Sequence, residues 1–217
     1  MVKYNLLIVD DHPLLRAGVK ALLSSNSSFV ITEAGSGEEA IALMSQLTFN
    51  IILLDIDMPG KNGVDVATYV EGNFPEIKIV FLTSHADFYT FAAAMEVDYA
   101  GFLFKENALE LLNDCLATIV RGEKYISKSC SDFVTANKER LVNVRKLKNA
   151  IKSLTDTELR VLLLISEGKT TPQIAEQLFN SAKTIENHRT NVCQKLELRG
   201  SNNLLAFSLK NKWLLQK

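Results

Sequence analysis

Five short apolar runs alternate with amphipathic stretches between residues 5 and 121. The runs predict strands at 5–9, 29–34, 50–54, 77–82 and 99–104, and the stretches between them predict helices. Three of the runs consist mainly of Leu, Ile, Val and Phe, as is typical of parallel strands that are buried on both faces. We therefore expect an α/β fold, a flavodoxin-like doubly wound (βα)5 domain with a parallel sheet and the strand order 2-1-3-4-5.

The remainder of the chain has a different pattern. Residues 122–150 lose the periodicity, contain Gly122 and several serines, and continue into a charged stretch, so we predict a linker that contains some helix. Residues 151–217 show helical patterns only, with Ser and Thr positioned as N-caps before apolar runs. The predicted organisation is an α/β domain at 1–121, a linker at 122–150 and an all-α four-helix domain at 151–217.

The charge is divided unequally between the two parts of the chain. Residues 1–137 contain 9 Lys and Arg against 18 Asp and Glu, whereas residues 138–217 contain 15 against 7. These counts give net charges of −9 and +8, which agree with the net charge of −1 for the whole chain. The asymmetry indicates that only the C-terminal part contacts a polyanion. Charge alone does not distinguish nucleic acid from an acidic protein or a membrane surface.

The cysteines and the apolar runs exclude several classes of protein. Cys115, Cys130 and Cys193 are far apart and form no CxxC, which predicts neither a disulfide framework nor a zinc site. No apolar run approaches the ~18 residues of a membrane span. The first residues enter the first strand directly, without the pattern of a signal peptide. We therefore expect a cytoplasmic protein without membrane contact.

Charged and hydroxyl side chains come directly after four of the five predicted strands. Asp10 and Asp11 follow the first strand, Asp55 the third, Thr83 the fourth and Lys105 the fifth. These strands are adjacent in the order 2-1-3-4-5, so the side chains converge on one cleft. Three carboxylates repel one another unless a cation neutralises them, and a site made of oxygen atoms favours Mg²⁺. One carboxylate can act as a nucleophile and form an acyl phosphate, while the lysine and threonine donate to the phosphoryl oxygens.

The residues around this cleft form four motifs: Val9-Asp10-Asp11, Leu54-Asp55-Ile56-Asp57-Met58-Pro59-Gly60, Leu82-Thr83-Ser84 and Gly101-Phe102-Leu103-Phe104-Lys105. With these motifs, residues 1–121 resemble the receiver domain of two-component response regulators. The resemblance implies that Asp55 accepts a phosphoryl group from a sensor histidine kinase. It also implies that Asp11 and Asp55 bind Mg²⁺ directly, that Asp10 contributes through water, and that the backbone carbonyl of Asp57 completes the set.

The same resemblance implies a switch. Thr83 would donate a hydrogen bond to the phosphoryl group, and Lys105 would pair with it. Phe102 would be the aromatic residue that rotates inward as Thr83 moves, although an ordinary aromatic at the edge of the core is an alternative reading. Glu106 stands where many receivers have a proline, and we expect no effect on the chemistry.

In the C-terminal part, two helices joined by a short turn, with a polar and basic face on the second, fit a helix-turn-helix. On the pattern alone, a three- or four-helix adaptor remains an alternative. The segment 153–212 contains the motifs Leu154-Thr155 with Glu158, Val161-Leu162, Glu167-Gly168, Ile174-Ala175, Ser181 with Lys183-Thr184-Ile185, Asn187-His188-Arg189, Asn191 and Lys195-Leu196. With these motifs it resembles the LuxR-type helix-turn-helix of the NarL/FixJ response regulators.

This second resemblance implies two groups of DNA contacts on the second helix of the motif. The candidates for phosphate contact, which orients a protein on DNA, are Lys183, Thr184, Arg189 and Lys195. The candidates for contact with base edges are Glu186, Asn187 and Thr190. Arg160 replaces an acidic residue of the first helix, so we expect a salt bridge of the family to be missing there.

We therefore predict a DNA-binding response regulator in which phosphorylation of Asp55 shifts a two-state equilibrium. It would bind double-stranded DNA as a homodimer when active, and it would not be an enzyme beyond slow self-phosphorylation and autodephosphorylation. The linker is compatible with relief of autoinhibition and with tethered dimerisation. Two alternatives remain: a phosphorylation-insensitive regulator that uses the receiver only for dimerisation, and an aspartyl-nucleophile phosphatase based on the DxD at Asp55-Ile56-Asp57. The phosphatase is disfavoured because in such enzymes this motif ends the first strand.

Overall fold

The computed structural model describes residues 2–84, 88–198, 201–211 and 215. The chain divides into two compact units, Met1–Lys138 and Glu139–Lys217. This division differs from the predicted limits of 121 and 151, because the segment that follows residue 121 packs onto the N-terminal unit and the segment before residue 151 belongs to the C-terminal one. Within the described part of the chain, no helix is both long and apolar enough to cross a membrane.

The N-terminal unit is a parallel sheet of six strands with the order β2-β1-β3-β4-β5-β6. The strands are β1 (Tyr4–Val9), β2 (Phe29–Ala34), β3 (Ile51–Asp55), β4 (Lys78–Thr83), β5 (Gly101–Phe104) and β6 (Tyr125–Ile126). The helices are α1 (Pro13–Leu23), α2 (Gly37–Met44), α3 (Gly63–Asn73), α4 (Phe88–Ala94), α5 (Lys105–Val120) and α6 (Lys128–Ala136). The fold class and the order of the first five strands are as predicted. The sixth strand was not predicted, because a strand of two residues is too short to show a periodicity in the sequence.

Both faces of the central strands are covered. Every residue of β3 is buried, and the core contains side chains from β1, β3, β4, β5, α1 and α5. Apolar residues therefore fill these strands up to their last one or two positions. Each large apolar side chain that is fully buried stabilises the fold by about 1.5–3 kcal/mol. The polar residues at the carboxyl ends are thus held on rigid strands.

Residues after 121 continue the N-terminal unit. In β6, the Tyr125 amide donates to the Ala100 carbonyl at 2.9 Å, and the Ser127 amide donates to the Phe102 carbonyl at 3.1 Å. On α6, the Phe133 ring lies 4.8 Å from the ring of Phe91. The predicted linker thus begins as a strand and a helix that pack onto β5 and α4.

The C-terminal unit is helical, as predicted. Its helices are α7 (Lys138–Lys152), α8 (Asp156–Ser166), α9 (Thr171–Gln177), α10 (Ala182–Lys195) and α11 (Ser201–Lys210). The core includes Val161, Leu162, Ile174, Ile185, Val192 and Leu204. The prediction of four helices omits α7, whose Ile151 is buried in this core. Helix α7 is strongly charged, and that composition led to its assignment as a linker.

Candidate functional site

Two carboxylates and one ammonium group meet at the carboxyl edge of the sheet. Asp10 directly follows β1, Asp55 is the last residue of β3, and the side chains of both are fully buried. Lys105 is the first residue of α5, directly after β5, and its Nζ lies 2.8 Å from Oδ2 of Asp10 and 2.7 Å from Oδ2 of Asp55. The structure therefore brings together three residues that are 45 to 95 positions apart in the sequence.

Burial and pairing act in opposite directions on the pKa values of this group. Burial raises the pKa of Asp55, and the opposing influence of Lys105 is smaller, so that the pKa stays above its usual value. Burial would lower the pKa of Lys105, but pairing with Asp10 and Asp55 outweighs it and raises that pKa. The lysine is therefore held in its charged form, while the carboxylates gain from any further cation at the site.

Asp11 and His12 extend the cluster towards solvent. His12 Nδ1 lies 2.7 Å from Oδ1 of Asp11 and 3.1 Å from Oδ1 of Asp10. Ligand atoms of Asp10, Asp11, His12 and Asp55 all lie within 4.8 Å of one another. Three carboxylates therefore face one another, with the Lys105 ammonium and the His12 ring as the nitrogen groups beside them. A cluster of carboxylate oxygens at this spacing fits a hard cation such as Mg²⁺.

The loop after β3 is fixed by short-range contacts. The Asp57 amide donates to Oδ1 of Asp55 at 3.1 Å, and the Ser84 hydroxyl lies 3.5 Å from Oδ2 of Asp57. Gly63, the first residue of α3, packs directly on the backbone of Asp55 and Ile56. A Cβ at Gly63 would lie 2.8 Å from the Ile56 Cα and closer still to the Asp55 carbonyl oxygen. The position of Asp55 thus depends on a residue without a side chain.

In the C-terminal unit, α10 presents a polar face. Ser181 is the N-cap, and its hydroxyl oxygen accepts from the Thr184 amide at 3.0 Å. Ile185 and Val192 are buried and fix which side of the helix faces the core. The predicted contact residues Lys183, Glu186, Asn187 and Thr190 are exposed, and Thr184 and Arg189 are half-buried. Lys183 lies 3.5 Å from Glu186, so that the carboxylate has a neighbouring positive charge.

Residues 6–117 match the family of response regulator receiver domains, and residues 152–207 match the luxR family of bacterial regulatory proteins. The first match alone spans more than half of the chain. The chain is a response regulator of the NarL/FixJ type. The predicted family, the fold class and the function as a DNA-binding regulator of transcription are thereby confirmed.

Relatives of similar length support the assignment of this chain to the response regulators. It is 29% identical to the transcriptional regulatory protein DegU of Brevibacillus brevis, across 98% of this chain and 95% of DegU. It is 30% identical to the oxygen regulatory protein NreC of Staphylococcus aureus, across 97% of this chain and 99% of NreC. A solved complex of the response regulator RcsB with DNA is 27% identical, with a TM-score of 0.56 and coverage of 96% of this chain and 98% of that one.

The predicted switch residues of the response regulator lie beside the acidic cluster. The register of β3 and β4 pairs Asp55 with Leu82, so Thr83 is one residue further towards the carboxyl edge. Thr83 is buried, and so is Phe102. The Phe102 ring lies 4.9 Å from the ring of Phe91. The ring is therefore in an inward position, within a cluster of aromatic side chains.

Lys195 differs from the other predicted DNA contacts of the response regulator. Its Nζ donates to Oε2 of Glu158 on α8 at 2.6 Å and to the Ser153 carbonyl at 3.1 Å. Burial raises the pKa of Glu158, but the bonds from Lys195 and Thr155 outweigh it and leave the pKa lowered. A salt bridge thus joins α8 and α10 through Glu158. The salt bridge that the sequence predicted to be missing is a different one, at Arg160.

Sequence reasoning missed two residues at the acidic cluster around Asp55. His12 was left out because a lone histidine carries no spacing that indicates a ligand. Gly63 was left out because close approach between α3 and the end of β3 is a property of the tertiary structure. A signal did exist for Gly63, since Asn62 and Asp65 form a capping box that fixes the start of α3 at this residue.

Proposed function

We propose that Asp55 accepts a phosphoryl group from a sensor histidine kinase and that this modification controls DNA binding through α10. The observation that supports the proposal best is the position of Asp55, which is buried at the end of β3 with its Oδ2 2.7 Å from the Lys105 ammonium. The ammonium next to this carboxylate favours a reaction that places further negative charge there. The protein would meet the kinase in the cytoplasm.

In the transfer, a carboxylate oxygen of Asp55 attacks the phosphorus of a phosphohistidine. An O–P bond forms and the N–P bond breaks, and the electron pair stays on the imidazole nitrogen of the kinase. The Lys105 ammonium would pair with the phosphoryl oxygens, and the Thr83 hydroxyl would donate to one of them. Mg²⁺ held by Asp10, Asp11, Asp55 and the Asp57 carbonyl would neutralise the carboxylates and the phosphoryl group.

The conformational change would begin at the residues next to the acyl phosphate. A phosphoryl group gives the Thr83 hydroxyl a new acceptor, so the conformation in which Thr83 approaches Asp55 is stabilised. Phe102, three residues before Lys105, already lies inward in the aromatic cluster, so the movement of Thr83 would stabilise this position of the ring. The modification therefore selects one of two packed arrangements of β4, β5 and their aromatic side chains.

DNA recognition is assigned to the exposed face of α10. Lys183, Thr184 and Arg189 would contact phosphates, and Lys195 would do so only after loosening its bonds to α8. Glu186, Asn187 and Thr190 would contact base edges in the major groove. A homodimer would place two such helices on half-sites about 34–36 Å apart. The solved RcsB complexes with DNA support this assignment.

DNA binding with and without acetyl phosphate and Mg²⁺ tests the proposal. We expect acetyl phosphate to raise the DNA affinity of the wild-type chain and to leave Asp55→Ala unchanged. Asp114→Asn, which removes an exposed carboxylate on α5, is the matched control and should respond like the wild type. Equal affinity with and without acetyl phosphate in the wild type would instead support the phosphorylation-insensitive regulator. Sustained hydrolysis of p-nitrophenyl phosphate would support the phosphatase.

A further inference from the structure

Three helices of the C-terminal unit end in the same type of turn. After α8, α9 and α10, one residue adopts a left-handed backbone: Gly168 with φ 79°, Phe179 with φ 53° and Glu197 with φ 54°. In the turn after α9, the Phe179 amide donates to the Glu176 carbonyl at 3.2 Å and the Asn180 amide to the Ala175 carbonyl at 2.9 Å. This pair of bonds defines a Schellman motif, in which glycine is preferred at the left-handed position.

Phe179 gains nothing for the fold from this position. Its side chain is almost entirely in solvent, since the residue is 97% exposed, and it carries the backbone strain that Gly168 avoids in the equivalent turn. The core contact of this turn is made by the preceding residue, Leu178, which packs against the buried cluster. A large aromatic residue that is both strained and exposed indicates a contact with another molecule.

The position of Phe179 indicates which molecule. It lies two residues before Ser181, the N-cap of α10. Two residues span at most about 7 Å. A recognition helix enters the major groove with its N-terminal residues at the base edges, and half the width of that groove is about 6 Å. With α10 in the groove, a side chain at this distance from the N-cap would be close enough to reach the DNA strand that borders the groove.

We propose that the ring of Phe179 packs on apolar DNA surface at the edge of the major groove, either deoxyribose or a thymine methyl group. The proposal rests on the proposed function of α10 as the recognition helix. Phe179 would thus be a DNA contact without charge, next to the phosphate contacts of Lys183 and Arg189. Such a contact contributes to affinity without releasing counterions.

Phe179→Gly separates a contact with DNA from a role in the fold. Glycine relieves the left-handed backbone, so we expect a higher midpoint of thermal unfolding together with a DNA affinity lower by about tenfold, as for the loss of one buried aromatic contact. The dependence of affinity on salt should stay as in the wild type, whereas Arg189→Ala should reduce its slope by about 1. Phe179→Tyr, which keeps the ring, should bind like the wild type. Glu197→Gly relieves the same strain after α10 and is the control for the stability change.

The probe is a DNA duplex that the full wild-type chain selects from a randomised pool. It is used in two forms, as selected and with deoxyuridine in place of every thymidine. Loss of affinity with deoxyuridine in the wild type but not in Phe179→Gly identifies the thymine methyl group, and equal affinity in the wild type identifies deoxyribose. If Phe179→Gly binds DNA with wild-type affinity while Asn187→Ala binds more weakly, the inference about Phe179 is overturned and the function proposed for α10 is not. A lower unfolding midpoint in Phe179→Gly also overturns it, because the ring would then serve the fold. Unchanged binding in Asn187→Ala, or no selection of DNA by the wild type, overturns the function proposed for α10.

Discussion

Replacing Gly63 by alanine would force the first turn of α3 away from the backbone of Asp55. The added Cβ would lie 2.8 Å from the Ile56 Cα. Ordinary contacts between carbon atoms are about 3.5–4.0 Å, so the backbone around Asp55 must shift by about 1 Å. A misplacement of this size at a reacting group costs about 10²-fold in rate. Overpacking of this kind also costs about 1–3 kcal/mol of stability.

The assay is the initial rate of phosphorylation by acetyl phosphate with Mg²⁺, resolved on a phosphate-affinity gel, together with urea unfolding. Gly72→Ala is the matched control, because Gly72 lies on the same helix with no atom within 4 Å of the added Cβ. Alanine in a helix interior is favoured over glycine by about 1 kcal/mol, so this control should be slightly more stable and react at the wild-type rate. A Gly63→Ala chain that is phosphorylated as fast as Gly72→Ala would refute the argument that close packing of α3 positions Asp55.

Two further predictions concern the ion pairs. Lys105→Met leaves buried carboxylates without their ammonium, and we expect urea unfolding at pH 7 to show a loss of about 3 kcal/mol. Because burial raises the pKa of Asp55, the loss should shrink as the pH is lowered from 7, and a loss that does not change with pH would contradict this reasoning. Since the pKa of Glu158 is lowered in the folded chain, its contribution to stability is complete above its unfolded pKa of about 4.3 and is lost as the pH falls through the folded value. The difference in unfolding midpoint between the wild type and Glu158→Gln should therefore shrink between pH 6 and pH 3, and a constant difference would show that the pair with Lys195 is not responsible.

The core of the acidic cluster was predictable because it lies at strand ends. Asp10, Asp55 and Lys105 each follow an apolar run, and parallel strands in a known order bring their carboxyl ends to one edge. Sequence position therefore determines spatial position at these residues. The same logic does not reach Gly63, since no local pattern shows which backbone atoms approach a helix start.

The exposed face of α10 was predictable in a similar way, because the buried spacing of Ile185 and Val192 fixes the opposite side of the helix. Lys195 shows where this reasoning ends. Its position on α10 suits a phosphate contact, but its partner Glu158 is 37 residues away, and an ion pair between two helices depends on how they pack. The strain at Phe179 was equally inaccessible, because phenylalanine gives no signal for a left-handed backbone.

Contacts between aromatic rings run from β5 through α4 to α6, the last helix before the boundary between the two units. Phe102 packs on Phe91, and Phe91 packs on Phe133 of α6, with ring centroids 4.9 and 4.8 Å apart. Phe102 and Phe91 are buried, so one of these two rings cannot change its position without displacing the other. A change in the position of the Phe102 ring would therefore alter how α6 packs on Phe91 through Phe133. Helix α6 ends at Ala136 and α7 begins at Lys138, so only Asn137 separates the helix that rests on these rings from the one that leads into the C-terminal unit. If phosphorylation controls DNA binding as proposed, the coupling requires no free linker, because α6 packs on the aromatic side chains directly before α7 begins.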